Sequence, residues 1–213
     1  MQIKGFRDTI NWYNQNAQVY SKSILNYSSP EQIDEFVKLV PKSTKVLDAG
    51  CASGRDSKFL LDKGINVIGI DLSLELIKIA KKNYPDIKFV EGNFLNLPFI
   101  DKMFGGIWAH ASLLHFENTE DVFKALSEFY RVLMKNGIIH VLVKAQTTIN
   151  KYNIVIDKLS KHNRFFQFFT KEEIKDLLQR SSFKIIKLEH YREIDKNPNG
   201  RPEVEWIVCL GKK

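Results

Sequence analysis

The chain has 213 residues, of which 44% are hydrophobic and 27% are charged, and its formal net charge is +7. These values are typical of a globular protein, and we expect residues 1–213 to form a single domain. No apolar run reaches the roughly 18 residues that a membrane helix needs, so neither a membrane span nor a membrane partner is expected. The segment Met1–Asp8 lacks the apolar core of a secretory signal, which favours a cytoplasmic location.

Two helices are predicted ahead of the first strand. Residues 6–26 carry apolar side chains at helical spacing. Residues 30–40 predict a second helix, with Pro30 near its start and Pro41 past its end.

After these helices the chain alternates β-branched runs with amphipathic runs, which indicates parallel strands joined by crossover helices. The predicted strands are Lys45–Ala49, Asn66–Asp71, Ile87–Glu91, Phe104–His110, Ile138–Lys144, Phe183–Tyr191 and Glu203–Leu210. The predicted helices between them are 55–63, Leu74–Asn83, 119–134 and 170–180. Turn residues at 197–200 predict an antiparallel hairpin of the last two strands. The fold expected is α/β: a three-layer, doubly wound, seven-stranded, mostly parallel sheet with a C-terminal antiparallel hairpin strand and N-terminal helices.

The segment Val46–Ser57 runs from a strand through small residues into a helix. Small residues let the backbone approach a ligand closely, and a helix N-terminus offers free N–H groups and partial positive charge. A carboxylate or a phosphate could bind there. Glycine turns between strand and helix are common, so this segment alone does not specify a ligand.

Asp71 ends the second strand, where a carboxylate can accept hydrogen bonds from both hydroxyls of a ribose. Helix capping is the alternative role, but Ser73 already offers a cap. NAD and S-adenosylmethionine both carry an adenosine, so Asp71 alone does not distinguish between these two cofactors. The dinucleotide fingerprint requires Gly-x-Gly-x-x-Gly, whereas the glycines here are Gly50 and Gly54. Asp48 would repel a pyrophosphate and suits the ammonium and sulfonium of S-adenosylmethionine better.

Five features in this order and spacing point to one family. They are the Asp48–Gly54 loop, Asp71, Glu91–Phe99, Phe104–His115 and Tyr130–Gly137. Together they resemble the class I S-adenosylmethionine-dependent methyltransferases, within the small-molecule group that includes tellurite-resistance-type enzymes. The resemblance covers the chain from about Tyr13 to the C-terminus. It implies S-adenosylmethionine as cofactor and transfer of its methyl group to an acceptor.

The resemblance also implies which positions bind the cofactor. They are Tyr20, Asp48, Gly50, Cys51, Ala52, Gly54, Arg55, Asp71, Leu72, Asn93, Phe94 and Ala109. The loop residues would surround the methionine part, and Arg55 would pair with its carboxylate. Asp71 would hold the ribose. The residues that would contact the adenine are Leu72, Asn93, Phe94 and Ala109. Tyr20 belongs to a helical cap, residues 1–41, that would close over the cofactor.

Two residues depart from the family pattern. Ala52 stands where glycine is usual, and its methyl group is tolerable only if the backbone avoids positive φ. Asn93 stands where aspartate is common, although its amide can still accept from and donate to an adenine.

Methyl transfer needs the acceptor atom held about 3 Å from the methyl group, and a general base only if the acceptor is protonated. His115 is the candidate catalytic residue, as base or acceptor contact, and His110 is the second candidate. Trp108 and Phe116 are candidates for the acceptor pocket or for the core. We expect the insertion at 146–169 to build the acceptor pocket together with the N-terminal helices.

A small-molecule acceptor is the favoured partner. No Asn/Asp-Pro-Pro-Tyr run follows the fourth strand, and no Pro-Cys nucleophile is present. The basic residues are scattered rather than striped, so a nucleic-acid partner stays open but is not favoured. The two cysteines, Cys51 and Cys209, predict neither a disulfide framework nor a metal site. The alternatives are an RNA-modifying enzyme, a non-catalytic cofactor-binding protein and, least favoured, an NAD-dependent oxidoreductase; the sequence indicates no oligomeric state.

Overall fold

The structure, a computed structural model, describes residues 5–25, 29–156, 163–197 and 200–213. Its strands are β1 (Lys45–Ala49), β2 (Asn66–Asp71), β3 (Lys88–Glu91), β4 (Phe104–His110), β5 (Leu133–Lys144), β6 (Tyr152–Ile156), β7 (Asn163–Gln167), β8 (Lys184–Arg192) and β9 (Glu205–Lys212). Its helices are α1 (Gly5–Gln15), α2 (Ala17–Ser23), α3 (Pro30–Leu39), α4 (Arg55–Asp62), α5 (Leu74–Asn83), α6 (Thr119–Val132), α7 (Lys171–Arg180) and α8 (Glu193–Lys196).

Seven strands form one sheet in the order β3-β2-β1-β4-β5-β9-β8. The first five are parallel, and β9 runs antiparallel to both of its neighbours. This confirms the predicted mostly parallel sheet with its C-terminal antiparallel hairpin. The strand order reverses between β2 and β4 around β1, and open α/β sheets bind ligands at such switch points.

Alternate residues of each central strand bury their side chains on opposite faces, which accounts for the three layers. Val46 of β1 packs with Phe36, Leu60 and Ile77, so α3, α4 and α5 cover one face. The next residue, Leu47, belongs to the apolar cluster that α6 and α7 cover on the other face. Helices on both faces explain why these strands are apolar nearly throughout.

The N-terminal region differs from its prediction as a single helix over 6–26. It forms α1 and α2, which meet at Asn16, where ψ is 11°. The Asn16 amide donates to the Trp12 carbonyl at 2.9 Å, a local bond by which asparagine competes with regular helix geometry. The end of the predicted helix, residue 26, lies outside the described residues.

The boundary between α6 and β5 also differs from the prediction of a helix to residue 134. Leu133 is fully buried and already extended, with ψ of 136°, and it pairs with Phe104 of β4. The register then shifts before Gly106, which accommodates the bend at Asn136, where φ is 64°. Burial of Leu133 therefore outweighs its helix propensity.

The insertion at 146–169 contains the antiparallel pair β6 and β7, which the sequence analysis did not predict. Packing against α1 orders it: the Phe165 N–H donates to the Thr9 hydroxyl at 2.8 Å. Residues 157–162 of this insertion lie outside the described residues, as do Pro198 and Asn199 of the predicted turn. No helix in the described ranges is long and apolar enough to cross a membrane.

Candidate active site

A cavity of about 590 Å³ lies at the edge of the sheet where β1, β2, β4 and β5 end. Helices α1 and α2 and strand β7 form further walls. The volume falls in the range that small-molecule sites occupy, and the position is the one expected for a doubly wound sheet.

The backbone N–H groups of the loop after β1 form hydrogen bonds within the protein. The N–H groups of Gly50 and Cys51 both donate to the Ile70 carbonyl, at 2.8 and 3.1 Å. The Ala52 N–H donates to Asp71 Oδ2 at 3.0 Å. A diphosphate cradle needs such N–H groups free for the ligand, so this loop is poorly suited to a dinucleotide.

The same loop passes close to the segment after β4. Gly50 has φ of 87°, and a Cβ on it would lie 2.4 Å from Cβ of Ser112. Only glycine tolerates both the positive φ and the close approach to Ser112. The Ser112 hydroxyl lines the cavity, is buried and has no hydrogen-bond partner among the described residues. A ligand atom that accepts or donates there would satisfy it.

The expectation for Ala52 was wrong. Its φ is 47°, in the left-handed region that the sequence analysis required it to avoid. The bond from its N–H to Asp71 holds this conformation, and a non-glycine residue pays about 1–2 kcal/mol for it. The alanine therefore adds strain to the loop.

Asp71 faces the cavity with both carboxylate oxygens partly engaged. Oδ1 accepts from the Ser73 N–H at 2.8 Å, and Oδ2 accepts from Ala52. Each carboxylate oxygen can accept a second bond, so two ribose hydroxyls can still be accommodated. Burial raises the pKa of Asp71, and the backbone donors offset only part of that rise. Ser73 caps α5 through Leu76, as predicted.

Asp48 and Asp56 place two more carboxyl groups beside the loop. Asp48 is 2% exposed and accepts from the Ser57 hydroxyl at 2.5 Å. Burial, and then the charge of Asp56, raise the pKa of Asp48 to about 8. Burial alone would raise the pKa of Asp56 too, but the Arg55 guanidinium, 2.6 Å away, and the Trp108 N–H lower it overall.

We call Asp48, Asp56 and Asp71 the acidic end of the cavity. Arg55 is the nearest cation to it, and its Nε is already paired with Asp56. Its Nη1 donates to the Ile24 carbonyl at 3.3 Å, so the predicted pairing of Arg55 with a cofactor carboxylate would use its remaining N–H groups. The surplus of carboxyl groups favours a cationic ligand.

His115 lies in the short turn Leu113–His115 after β4, with both ring nitrogens engaged. Nδ1 lies 2.8 Å from the Phe165 carbonyl, which can only accept, so Nδ1 carries the proton. Nε2 then accepts from the Tyr13 hydroxyl at 3.0 Å. Burial, and then the charges of Arg164 and Lys144, lower the pKa of His115 to about 4, although the hydrogen bond to Phe165 opposes this. A neutral, occupied imidazole is a weak general base.

The far wall of the cavity carries cations. Lys144, at the end of β5, has its Nζ 4.2 Å from the centre of the Phe166 ring. The Arg164 guanidinium on β7 lies 5.5 Å from the same ring and 4.0 Å from that of Trp12. Burial, and then Arg201 and Arg164, lower the pKa of Lys144 to about 8. We call Lys144 and Arg164 the basic end.

Most of the predicted site residues meet in this cavity. Those that line it are Tyr20, Asp48, Gly50, Cys51, Ala52, Arg55, Asp71, Leu72, Phe94 and His115. Gly54, Asn93 and Ala109 are not among its lining residues: Gly54 packs near Tyr84 and Phe89, the Asn93 amide oxygen accepts from Leu95, and Ala109 is fully buried. Their roles stay predictions.

The two aromatic candidates for the acceptor pocket belong to the core. Trp108 is fully buried and stacks on His140 with ring centres 3.7 Å apart. Phe116 is 4% exposed and stacks on Phe6. His110, the second candidate base, does line the cavity, and burial lowers its pKa to about 4.

Several cavity residues had no role in the sequence analysis. Among them are Tyr13, Asp56, Ser112 and Lys144, whereas Arg164 belongs to the insertion that was expected to build the acceptor pocket. Two of them had a local signal: Lys144 is a charged residue at the end of an apolar strand, and Asp56 lies in the segment after β1. Tyr13 and Ser112 face the cavity through contacts between distant segments, which a single sequence does not encode in a local pattern.

Comparison with known proteins indicates which class of enzyme this chain resembles. Residues 47–141 match the family model described as a methyltransferase domain. A demethylmenaquinone methyltransferase from Renibacterium salmoninarum is 32% identical over 111 residues, which cover 52% of this chain and 46% of that protein. A malonyl-[acyl-carrier protein] O-methyltransferase from Hamiltonella defensa is 28% identical over 136 residues, which cover 64% and 52%. The chain thus spans about half the length of these curated relatives.

Among solved structures, a 1,6-didemethyltoxoflavin-N1-methyltransferase from Burkholderia thailandensis shares the fold with a TM-score of 0.74. The match covers 97% of this chain and 88% of that one at 17% identity. Residues 47–141 are thus similar to a methyltransferase domain, and the chain shares its fold with a methyltransferase of known structure. The expected fold is confirmed, the comparisons support the resemblance to S-adenosylmethionine-dependent methyltransferases, and the narrower likeness to tellurite-resistance-type enzymes stays a prediction.

The cavity fits S-adenosylmethionine, the cofactor that the resemblance implies, and the methyltransferase of known structure was solved with S-adenosylhomocysteine bound. Gly50 lets the loop lie against Ser112, whose buried hydroxyl lines the cavity and has no partner among the described residues. The acidic end complements the positive charges of the methionine part, and Asp71 retains acceptor capacity for ribose hydroxyls. The methyltransferase domain therefore holds residues of the right chemistry at the right edge of its sheet.

Proposed function

We propose that the protein transfers a methyl group from S-adenosylmethionine to a small-molecule acceptor. The observation that carries this proposal is one continuous cavity with two chemically different ends. The acidic end offers carboxyl groups and a glycine cradle, whereas the basic end offers cations and aromatic rings on β5 and β7. A protein that only held the cofactor would not need the second end.

The cofactor supplies a methyl group already activated by a sulfonium. The chain therefore has to bind, orient and exclude water, which are the main contributions to such a displacement. Helix α1 covers the cavity, and two of the contacts that hold it lie on opposite sides of the site. Asn14 of α1 accepts from Ser73 Oγ at 2.8 Å, and Tyr13 donates to His115. These contacts join the N-terminal cap to both sides of the site.

His115 was predicted as the catalytic residue, and we propose that it acts through Tyr13. With Nδ1 donating to Phe165 and Nε2 accepting from Tyr13, the ring fixes the direction of the Tyr13 hydroxyl. The same hydroxyl also forms side-chain hydrogen bonds with Arg164 and Tyr20, so its direction affects both of these cavity residues. His115 is thus a positioning residue in this proposal, and its low basicity is compatible with that role.

The relatives support a small-molecule acceptor without naming it. One acts on a demethylmenaquinone and another on a malonyl group carried by a protein, as their names state. The third was solved with 1,6-didemethyltoxoflavin and S-adenosylhomocysteine bound. Three such different acceptors indicate that the acceptor end, rather than the cofactor end, varies among these proteins.

Incubation with methyl-labelled S-adenosylmethionine and fractionated metabolite extracts tests the proposal. We expect S-adenosylhomocysteine and one labelled small product to appear together. A cofactor-binding protein without catalysis would bind S-adenosylhomocysteine and release no labelled product. Label recovered in RNA instead would contradict a small-molecule acceptor.

A further inference from the structure

The basic end of the cavity has charge that the described part of the protein does not neutralise. Neither Lys144 nor Arg164 forms an ion pair with a described carboxylate. By contrast, Arg201 in the same wall pairs with Glu193 at 2.9 Å, and Lys196 pairs with Glu189 at 2.8 Å. Two cations left unpaired in a partly buried wall carry a desolvation cost that a bound anion would offset.

Arg164 shows the strongest sign of a missing partner. Its Nε is buried and has no hydrogen-bond partner within the described ranges. Stacking on Trp12 uses the face of the guanidinium plane, whereas anions bind along its edge. Its carbon lies 4.0 Å from the Trp12 ring centre, and a side-chain hydrogen bond to Tyr13 also holds the group in place. The Nε on its edge has no partner among the described residues.

The basic end is separated from the site of the cofactor by two strand spacings. Lys144 is the last residue of β5, which lies two strands from β1, and neighbouring strands are about 4.8 Å apart. The distance across is therefore about 10 Å, with Asp71 on β2 farther still. An anion held at Lys144 and Arg164 would belong to the acceptor and not to the nucleoside.

We propose that the acceptor carries an anionic group, a carboxylate or a phosphate, which Lys144 and Arg164 bind together against the Phe166 ring. The inference rests on the proposed function, because it assigns the substrate class of the same cavity. Phe166 is 8% exposed and brings both cations to one place, 4.2 and 5.5 Å from its centre. A planar or apolar portion next to the anionic group would pack on the aromatic wall.

Benzoate, phenyl phosphate and neutral benzyl alcohol are suitable probes. Each is titrated into the protein saturated with S-adenosylhomocysteine, and again without it, with thermal shift and calorimetry as readouts. We expect one or both anions to bind more tightly than benzyl alcohol, and to lose affinity as salt is added. The stronger of the two anions identifies carboxylate or phosphate as the recognised group.

The variants Lys144→Met and Arg164→Met should each weaken the anion about tenfold and leave the affinity for S-adenosylhomocysteine unchanged. Matched controls are Lys175→Met and Arg180→Met on α7, which are exposed and outside the cavity. Circular dichroism reports whether each variant is folded, and Arg164→Lys, which keeps the charge, should restore part of the anion affinity.

Three results would overturn the inference. The first is that the anions bind no better than benzyl alcohol. The second is that the two cavity variants bind the anions as tightly as the control variants do. Alternatively, the variants lose S-adenosylhomocysteine, which would assign the cations to the cofactor. Failure of the wild-type protein to bind S-adenosylhomocysteine would instead contradict the proposed function, and the titrations without it would still test the anion site.

Discussion

The acidic and basic ends of the cavity are built in different ways. The acidic end is held by main-chain bonds from one short loop to Ile70 and Asp71, so its shape follows from the local sequence after β1. The basic end is assembled from β5, β7 and α1 through ring contacts between distant residues. A site of the first kind is fixed and general, whereas one of the second kind can change its ligand by changing a few side chains.

Removal of Asp71 should have the largest effect of any change at the acidic end. Asp71→Ala loses the ribose acceptor and the anchor of the Ala52 N–H. We expect affinity for S-adenosylhomocysteine to fall at least about a hundredfold, because bonds to a charged group contribute about 1.5–3 kcal/mol each. Calorimetry measures it, with Asp62→Ala on the exposed face of α4 as control.

For Asp71→Ala, anion binding at the basic end should persist in the folded variant. Equal loss at both ends would mean that the two ends do not act separately. Asp71→Asn, which keeps an acceptor oxygen, should fall between the wild-type protein and the alanine variant.

Gly50 tests how tightly the acidic end is shaped. Gly50→Ala and Gly64→Ala both place alanine at positive φ, 87° and 79°, but only the first adds a contact, at 2.4 Å from Ser112. We expect about 1 kcal/mol lost for Gly64→Ala and about 1–3 kcal/mol more for Gly50→Ala, by urea unfolding. Equal losses would show that the loop can move away from Ser112.

Asp48 tests the charge of the acidic end. In the free protein its raised pKa keeps the carboxyl protonated below about pH 8, and a bound ammonium favours the ionised form. Binding should therefore release a proton, and affinity for S-adenosylhomocysteine should rise with pH up to about 8, by at most about tenfold per unit. Calorimetry in two buffers of different ionisation enthalpy measures the proton.

Asp48→Asn should weaken binding and remove its pH dependence. The free variant should also gain stability relative to the wild-type protein as pH rises toward 8, because the raised pKa of Asp48 disfavours the folded state there. A pH dependence that survives the substitution would assign the proton to another group.

Ala52→Gly should have the smallest effect. Glycine relieves the positive φ of 47° but adds flexibility to the unfolded chain, so we expect a net gain of about 0.5–1 kcal/mol in stability. The matched control, Ala17→Gly in α2, should lose about 1 kcal/mol or more. A loss at Ala52 would mean that its methyl group packs usefully in the loop.

The two ends also differ in what the sequence could predict. The sheet, the loop after β1 and Asp71 follow local patterns. The bounds of β1, β2 and β4 were therefore predicted as the structure has them, and most of the predicted cofactor positions line the cavity. The β6–β7 pair, the Tyr13–His115 contact and the basic end depend on α1 meeting the insertion, more than 100 residues away along the chain. No local period signals such contacts, and Ala52 shows that a hydrogen bond can impose a conformation that propensity disfavours.

Calorimetric titration of the wild-type protein with S-adenosylhomocysteine and with NADH tests the central claim most directly. The N–H groups of the loop after β1 donate to Ile70 and Asp71 and are not free for a diphosphate. The acidic end places carboxyl groups near the ligand. We therefore predict that S-adenosylhomocysteine binds with release of a proton and that NADH does not bind. Tight binding of NADH, or no binding of S-adenosylhomocysteine, would contradict the account.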